Sequence, residues 1–289
     1  MLLSAFIRSS IDALASVYPE GEASSITAIW LRSRLGVERY THILEPEREI
    51  PADRLPLLED DLRRLLRCEP VQYVLSEAEF CSHTFKVGPG VLVPRPETEE
   101  LVARACELLP DGGRVLDLCT GSGCIAWSIA AARPECRVLG VDISPEALSY
   151  AEQQGICSAG PSWLLCDMLV PEAPVKISAA LEGGKCELLT CNPPYICNSE
   201  RALMRRNVLD YEPSLALFAP DADPLIFYRA VANLAAELLV PGGYALVEIN
   251  ETLGDQTAGI FSAAGFENVS LIKDFAGKNR FVSFKKTAL

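Results

Sequence analysis

From about Arg114 to Ile249 the sequence predicts an α/β fold, a parallel sheet with helices on both faces. Strand-like runs such as "RVLDLC", "RVLGVDI", "CELLTC" and "YALVEI" alternate with helix-periodic stretches, which is the order of βα units. Those runs are apolar at nearly every position, so each strand is covered on both sides. A third pattern sets the front of the chain apart, because residues 1–75 read as helix. A chain of 289 residues, 49% hydrophobic and 22% charged, has room for about two domains of roughly 150 residues each.

In the first segment "SITAIWLRSRLGV" and "LPLLEDDLRRLLRC" carry apolar residues at i, i+3, i+4 and i+7. Asp53 stands where the second stretch needs a cap, and Pro46, Pro51 and Pro70 punctuate the region. The expectation for 1–75 is a small helical bundle. Over 76–94, aromatic and β-branched residues surround Gly88-Pro89-Gly90 and read as a β-hairpin connector turning there. The domain at 95–289 opens with "ETEELVARACELL", a helix with acids in its first turn. "SPEALSYAEQQG" starts with Ser144 as N-cap and Pro145 at N1. "DPLIFYRAVANLAAELLVPGG" reads as one long helix stopping at Pro241-Gly242-Gly243. "ENVSLIKDF" and "NRFVSFKK" around "AGK" read as a hairpin that closes the sheet.

The net charge of -13 lacks the basic footprint of a duplex binder and favours basic proteins as partners. The 11 cysteines include no C-x-x-C and sit mostly in apolar runs, where a free thiol acts as a small hydrophobe. That usage implies a reducing cytoplasm. With His42 and His83 the only histidines, neither a zinc site nor a Ser-His-Asp triad is expected. The first residues resemble an amphipathic helix more than a signal peptide, and no run of about 18 apolar residues predicts a membrane span.

"VLDLCTGSGCIA" places a strand, then Thr120-Gly121-Ser122-Gly123, then a helix. Glycines there allow a tight turn and bring backbone N–H groups to a ligand at the helix start. The loop departs from G-x-G-x-x-G, with Cys119 where a first glycine would stand. Asp142 ends the next strand and suits ribose hydroxyls; Asp167 ends the one after and suits an adenine amino group. Three successive strand ends thus read as a nucleoside cofactor site. NAD and S-adenosylmethionine both fit, and Asp117 ahead of the loop favours the second, whose sulfonium and ammonium are cationic.

The fourth strand of this series, "CELLTC", stops at Asn192-Pro193-Pro194-Tyr195. The prolines remove backbone donors and stiffen the turn. A conjugated N–H₂ is a poor nucleophile until two acceptors hold its hydrogens. The Asn192 side chain and the Pro193 carbonyl supply such acceptors, with Tyr195 as a stacking surface. Here the chain is similar to the methyltransferases that act on nitrogen in a planar group.

"EFCSHTFKVGPGVLVPRPETEELV", "YEPSLALFAPDADPLIFYR" and "DFAGKNRFV" resemble the PrmC/HemK family, the glutamine-N5 methyltransferases of peptide chain release factors, over about 79 to 285. The resemblance implies a Rossmann-like seven-stranded class I methyltransferase domain behind a small bundle that engages the release factor. It implies S-adenosylmethionine held by Cys119, Thr120, Gly121, Ser122, Gly123, Asp142 and Met168, leaving S-adenosylhomocysteine as product. It puts Asn192, Pro193, Pro194 and Tyr195 on the substrate glutamine, with Asn192 near both ligands. The family usually has glycine at Cys119 and often an aromatic residue at Met168. Arg95 and Glu97 either shape the pocket mouth or form an interdomain salt bridge. The expectation is a monomeric cytoplasmic enzyme that methylates the glutamine of a GGQ loop and binds neither nucleic acid nor membrane. The rival readings are a DNA or RNA amino-methyltransferase, a glutamine methyltransferase of a ribosomal protein, and a catalytically silent nucleoside-binding assembly factor.

Overall fold

A computed structural model describes residues 1–181 and 184–288. They divide into two compact units, Met1–Glu77 with Arg205–Tyr211, and Ala78–Met204 with Glu212–Leu289.

The first unit holds α1 (Leu3–Leu14), α2 (Glu20–Leu35), α3 (Thr41–Leu44), α4 (Leu55–Leu66) and α5 (Val71–Leu75). Their apolar faces meet around Leu3, Leu14, Trp30, Leu58 and Leu65, all fully buried. Gly36, at φ +61°, ends α2 in the left-handed conformation that glycine adopts without strain. Asp61 is buried inside this bundle and accepts hydrogen bonds from Trp30 Nε1 at 2.9 Å and Arg34 Nε at 2.7 Å. Asp53 does not cap α4. The residue before the helix is Arg54, which makes no side-chain cap bond, so Asp53 lies one position too early.

Along the rest of the chain run β1 (Glu77–Phe80), β2 (His83–Lys86), α6 (Pro96–Leu108), β3 (Arg114–Leu118), α7 (Cys124–Ala132), β4 (Arg137–Asp142), α8 (Pro145–Glu152), β5 (Ser162–Leu165), α9 (Ala173–Ala180) and β6 (Cys186–Cys191). A looser stretch contains β7 (Ile196–Cys197), α10 (Arg206–Leu209), α11 (Ser214–Leu217) and β8 (Phe218–Ala219). Then come α12 (Ile226–Leu238), β9 (Leu239–Glu248), α13 (Gly254–Ala263), β10 (Glu267–Lys273) and β11 (Asn279–Lys285).

Seven strands form one sheet in the order β10-β11-β9-β6-β3-β4-β5. β9, β6, β3, β4 and β5 are parallel, while β11 is antiparallel to both of its neighbours. Alternate residues feed two cores, as the pleat requires. Val115 and Leu188 pack with Leu101 of α6 and Ile129 of α7. Leu116 and Leu189 pack on the other face with Ile177 of α9 and Leu234 of α12. This is the class I methyltransferase fold anticipated above.

Three local expectations change. The turn between β1 and β2 is Cys81-Ser82, both at positive φ (47° and 61°), as a two-residue hairpin turn needs. Gly88-Pro89-Gly90 instead leads away from β2. The hairpin read as a connector is part of the second unit's core, since Phe80 and Phe85 are buried with Leu101 and Val115. Finally, α12 ends at Leu238, and Pro241-Gly242-Gly243 lies inside β9. Cys186 pairs with Leu239 and Leu188 with Tyr244, so the residues between bulge out of the ladder.

Candidate active site

The carboxyl ends of β3, β4, β5 and β6 open into a cleft of about 420 Å³, within the roughly 300–1,000 Å³ typical of ligand sites. It lies within the second unit and at the position where open α/β sheets bind ligands. Of the residues singled out from sequence, Arg95, Cys119, Thr120, Gly121, Ser122, Asp142, Asp167, Met168, Asn192 and Pro194 line it. Asp117, Gly123, Pro193 and Tyr195 do not.

The loop after β3 is held from below. Asp117 is fully buried and accepts from Thr120 Oγ1 at 2.6 Å and from Thr190 Oγ1 at 2.7 Å. Thr190 is its register partner on β6. Burial pushes the Asp117 carboxyl up to about 7 against the pull of those hydroxyls. Its position corrects the expectation of direct cofactor contact: Asp117 shapes the loop, and Thr120 and Ser122 face the cleft. Gly123 begins α7 at φ +76°, and a Cβ there would meet Trp163 at 2.7 Å and Trp127 at 3.0 Å. That glycine is required by packing under the loop.

Cys119 takes a left-handed φ of +55°, and its Sγ lies 3.5 Å from Met168 Sδ. Asp142 ends β4 with Oδ2 accepting from Gly121 N–H at 2.8 Å and Oδ1 from Ser144 N–H at 2.9 Å. Each carboxylate oxygen has a second lone pair, so Asp142 can still receive ribose hydroxyls. Ser144 caps α8 through Ala147 N–H, as its sequence position predicts. Asp167 accepts from Leu169 N–H at 2.8 Å, which fixes its carboxylate at the rim.

On the opposite wall the sequence pointed to Arg95 but not to its partner. Glu212, almost entirely buried, accepts from Val93 N–H at 3.1 Å and Arg95 Nη2 at 2.7 Å. It ties the loop of Gly90, Val91, Leu92 and Pro94 to the segment of Pro213 and Leu215, both lining the cleft. Arg95 therefore pairs within its own unit. Glu97 does not line the cleft.

Asn192 and Pro194 reach the cleft, whereas the Tyr195 hydroxyl turns away and donates to Glu248 Oε1 at 3.1 Å. Burial and the Glu248 charge push the Tyr195 phenol far above its ordinary value. Thr98, whose side chain is buried and lines the cleft, donates to Glu248 Oε2 at 2.7 Å. Among the described residues no group of three or more His, Cys, Asp or Glu is arranged to hold a metal ion. No helix among them is long and apolar enough to cross a membrane.

A family model of the PrmC N-terminal domain matches residues 7–75, and one of a methyltransferase domain matches residues 109–158. The release factor glutamine methyltransferase of Bacteroides thetaiotaomicron is 38% identical over 281 residues, covering 97% of this chain and 98% of its own. This chain belongs to the release factor glutamine methyltransferase family. The Flavobacterium psychrophilum member is 34% identical over 287 residues, covering 98% of each chain. A solved protein-(glutamine-N5) methyltransferase (release factor-specific) from Alicyclobacillus acidocaldarius is 31% identical and covers 70% of this chain and 99% of that one, with a TM-score of 0.43.

The methyl donor of such an enzyme is S-adenosylmethionine, and the cleft fits it chemically. Asp142, Asp167 and Glu146 line it, and Arg95, the one cation lining it among the described residues, is already paired with Glu212. That donor set suits a sulfonium and an ammonium and would repel a pyrophosphate. Apolar Val91, Leu92, Met168 and Leu169 offer surfaces for a base.

Proposed function

We propose that this chain transfers a methyl group from S-adenosylmethionine to the side-chain amide nitrogen of the GGQ glutamine in peptide chain release factors. The observation that carries the reading is Asn192 sharing one cleft with Asp142 and the loop Cys119–Ser122. When bound, the cofactor supplies an electrophilic methyl on sulfur. Asn192 Oδ1 and the Pro193 carbonyl, on the peptide bond to the cleft-lining Pro194, hold the amide hydrogens in this reading, which turns the nitrogen lone pair outward. Pro193 and Pro194 are buried and fix the backbone, so the orientation is set before substrate arrives. Asp142 holds the ribose and Asp167 the adenine amino group, while Glu212 keeps the Arg95 wall in place. The N-terminal bundle engages the release factor in this reading, and the enzyme works as a monomer in the cytoplasm.

Incubation with S-adenosylmethionine and a release factor, followed by mass spectrometry, tests it. The expected result is a single added methyl on the GGQ glutamine. Asn192→Ala is expected to abolish transfer while cofactor binding persists. Methylation of DNA or RNA instead, or full turnover by that variant, would sink the reading.

A further inference from the structure

Glu248 ends β9 in a fully buried position, outside the set of residues that line the cleft. Thr98 of α6 donates to one of its oxygens at 2.7 Å and Tyr195 to the other at 3.1 Å. Two residues on, Asn250 Nδ2 donates to the Tyr195 carbonyl at 3.2 Å and to Glu200 Oε2 at 3.0 Å. Tyr195 is therefore gripped at its ring end and at its backbone end by one strand terminus. Arg280 of β11 acts on Glu248 through its charge, but its guanidinium bonds Asp274, with Nε 3.0 Å from Oδ2. Burying a carboxylate between two neutral hydroxyls costs far more than burying an amide or an apolar group. Packing alone gives no reason to keep a charge here.

We infer that Glu248 is a positioning residue for methyl transfer, its ionised carboxylate fixing Tyr195 and through it the Asn192–Tyr195 turn. The role rests on the methyl-transfer reading proposed above. Both oxygens accept, which a carboxylate can do freely; a protonated carboxyl has turned one oxygen into a donor. Protonation would thus reverse one of the two bonds, turning either the Thr98 or the Tyr195 hydroxyl from donor to acceptor and re-aiming it. Burial raises the Glu248 carboxyl above its ordinary range, and Glu97 of α6 adds to the rise. The Thr98 and Tyr195 hydroxyls and Arg280 oppose it, and Arg95 acts on the Tyr195 phenol nearby. The carboxylate form is lost as pH falls through this raised value, so the rate should decline on the acid side.

The test uses the full chain, S-adenosylmethionine and a release factor, with kcat and KM measured across pH. Glu248→Gln keeps the volume and is expected to lower kcat by about 10- to 100-fold, the scale of a lost orientation, with cofactor KM nearly unchanged. The acid limb should vanish in that variant. Thr98→Val removes a bond that favours the carboxylate and should move the limb to higher pH. In combination with Tyr195→Phe, Glu248→Gln should cost far less than the two single losses together, because both act through the Glu248–Tyr195 contact. Wild-type kcat in Glu248→Gln, an unmoved limb in Thr98→Val, or additive losses would each overturn the role. If Glu248→Gln does not fold, the Thr98→Val limb decides. An inactive wild type would overturn the methyl-transfer reading itself, a result distinct from all of these.

Discussion

Cys119 holds a backbone conformation that costs an L-residue roughly 1–2 kcal/mol and costs glycine almost nothing. Its half-buried side chain regains part of that against Met168. We expect Cys119→Gly to be as stable as the wild type or slightly more so. Cys119→Val should lose about 2 kcal/mol, because β-branching makes the same φ harder to reach. Denaturant midpoints of the two variants check the order, and equal midpoints would remove strain from the account. Asp117 makes a pH-dependent contribution of opposite sign to the usual buried ion pair. Its carboxyl rises from 3.8 to about 7 on folding, so between those values the folded chain binds more protons than the unfolded one. Stability from this group is therefore full at low pH and falls as pH rises through that window. Asp117→Asn should gain on the wild type in Tm as pH rises from about 4 to 7, then hold a constant difference. A difference that does not change with pH would contradict a raised carboxyl.

At the scale of elements, the sequence patterns that survived were those set by periodicity and by single caps. Strands β3, β4, β6 and the body of β9 were legible because apolar runs on both faces have few other uses. Ser144 was legible because a cap needs only its own helix. Pro241-Gly242-Gly243 misled because its role depends on a partner: Gly242 N–H and Gly243 O pair with Lys286, which lies far away in sequence. Glu212 and Glu248 were missed for the same reason, since Glu212 acquires its meaning from Val93, 119 positions away, and Glu248 from Thr98 and Tyr195, 150 and 53 positions away. The cleft acids were found where the carboxyl-end rule applied, and Asp117 went astray because that rule says nothing about side-chain direction. In the helical bundle, Asp61 likewise acts through residues of another helix, Trp30 and Arg34, 31 and 27 positions away. Removing its carboxylate leaves the Trp30 N–H and the Arg34 guanidinium without it. Asp61→Ala should cost about 3 kcal/mol, as expected when one member of a buried pair is deleted. Circular dichroism melts would show the loss, and a cost below about 1 kcal/mol would mean that water replaces the carboxylate.

For the whole molecule, the division of labour proposed for the two units leads to a separable expectation. Every residue lining the cleft lies between Gly90 and Phe227, and all belong to the second unit. Yet that unit is not one continuous piece of chain, because Arg205–Tyr211 leaves it to join the first. Within the first unit the returning segment is bonded: Arg205 pairs with Glu22, and Tyr211 OH donates to the Arg67 carbonyl at 2.9 Å. A chain beginning at Ala78 would keep the loop, Asp142, Asn192 and the Glu212 clamp, but would leave that segment without its partners. We expect it to bind S-adenosylhomocysteine within about threefold of the full chain, a difference under 1 kcal/mol. Its Tm should be lower, and replacing residues 205–211 with a short Gly/Ser linker should recover part of the loss, since a flexible loop adds little closure cost. Methylation of the release factor should fall through KM, with kcat at saturating substrate largely retained. Calorimetric titration with S-adenosylhomocysteine is the deciding measurement. Loss of binding in a truncated chain that still melts cooperatively would mean that the first unit shapes the cleft, and the two units could no longer be assigned separate tasks.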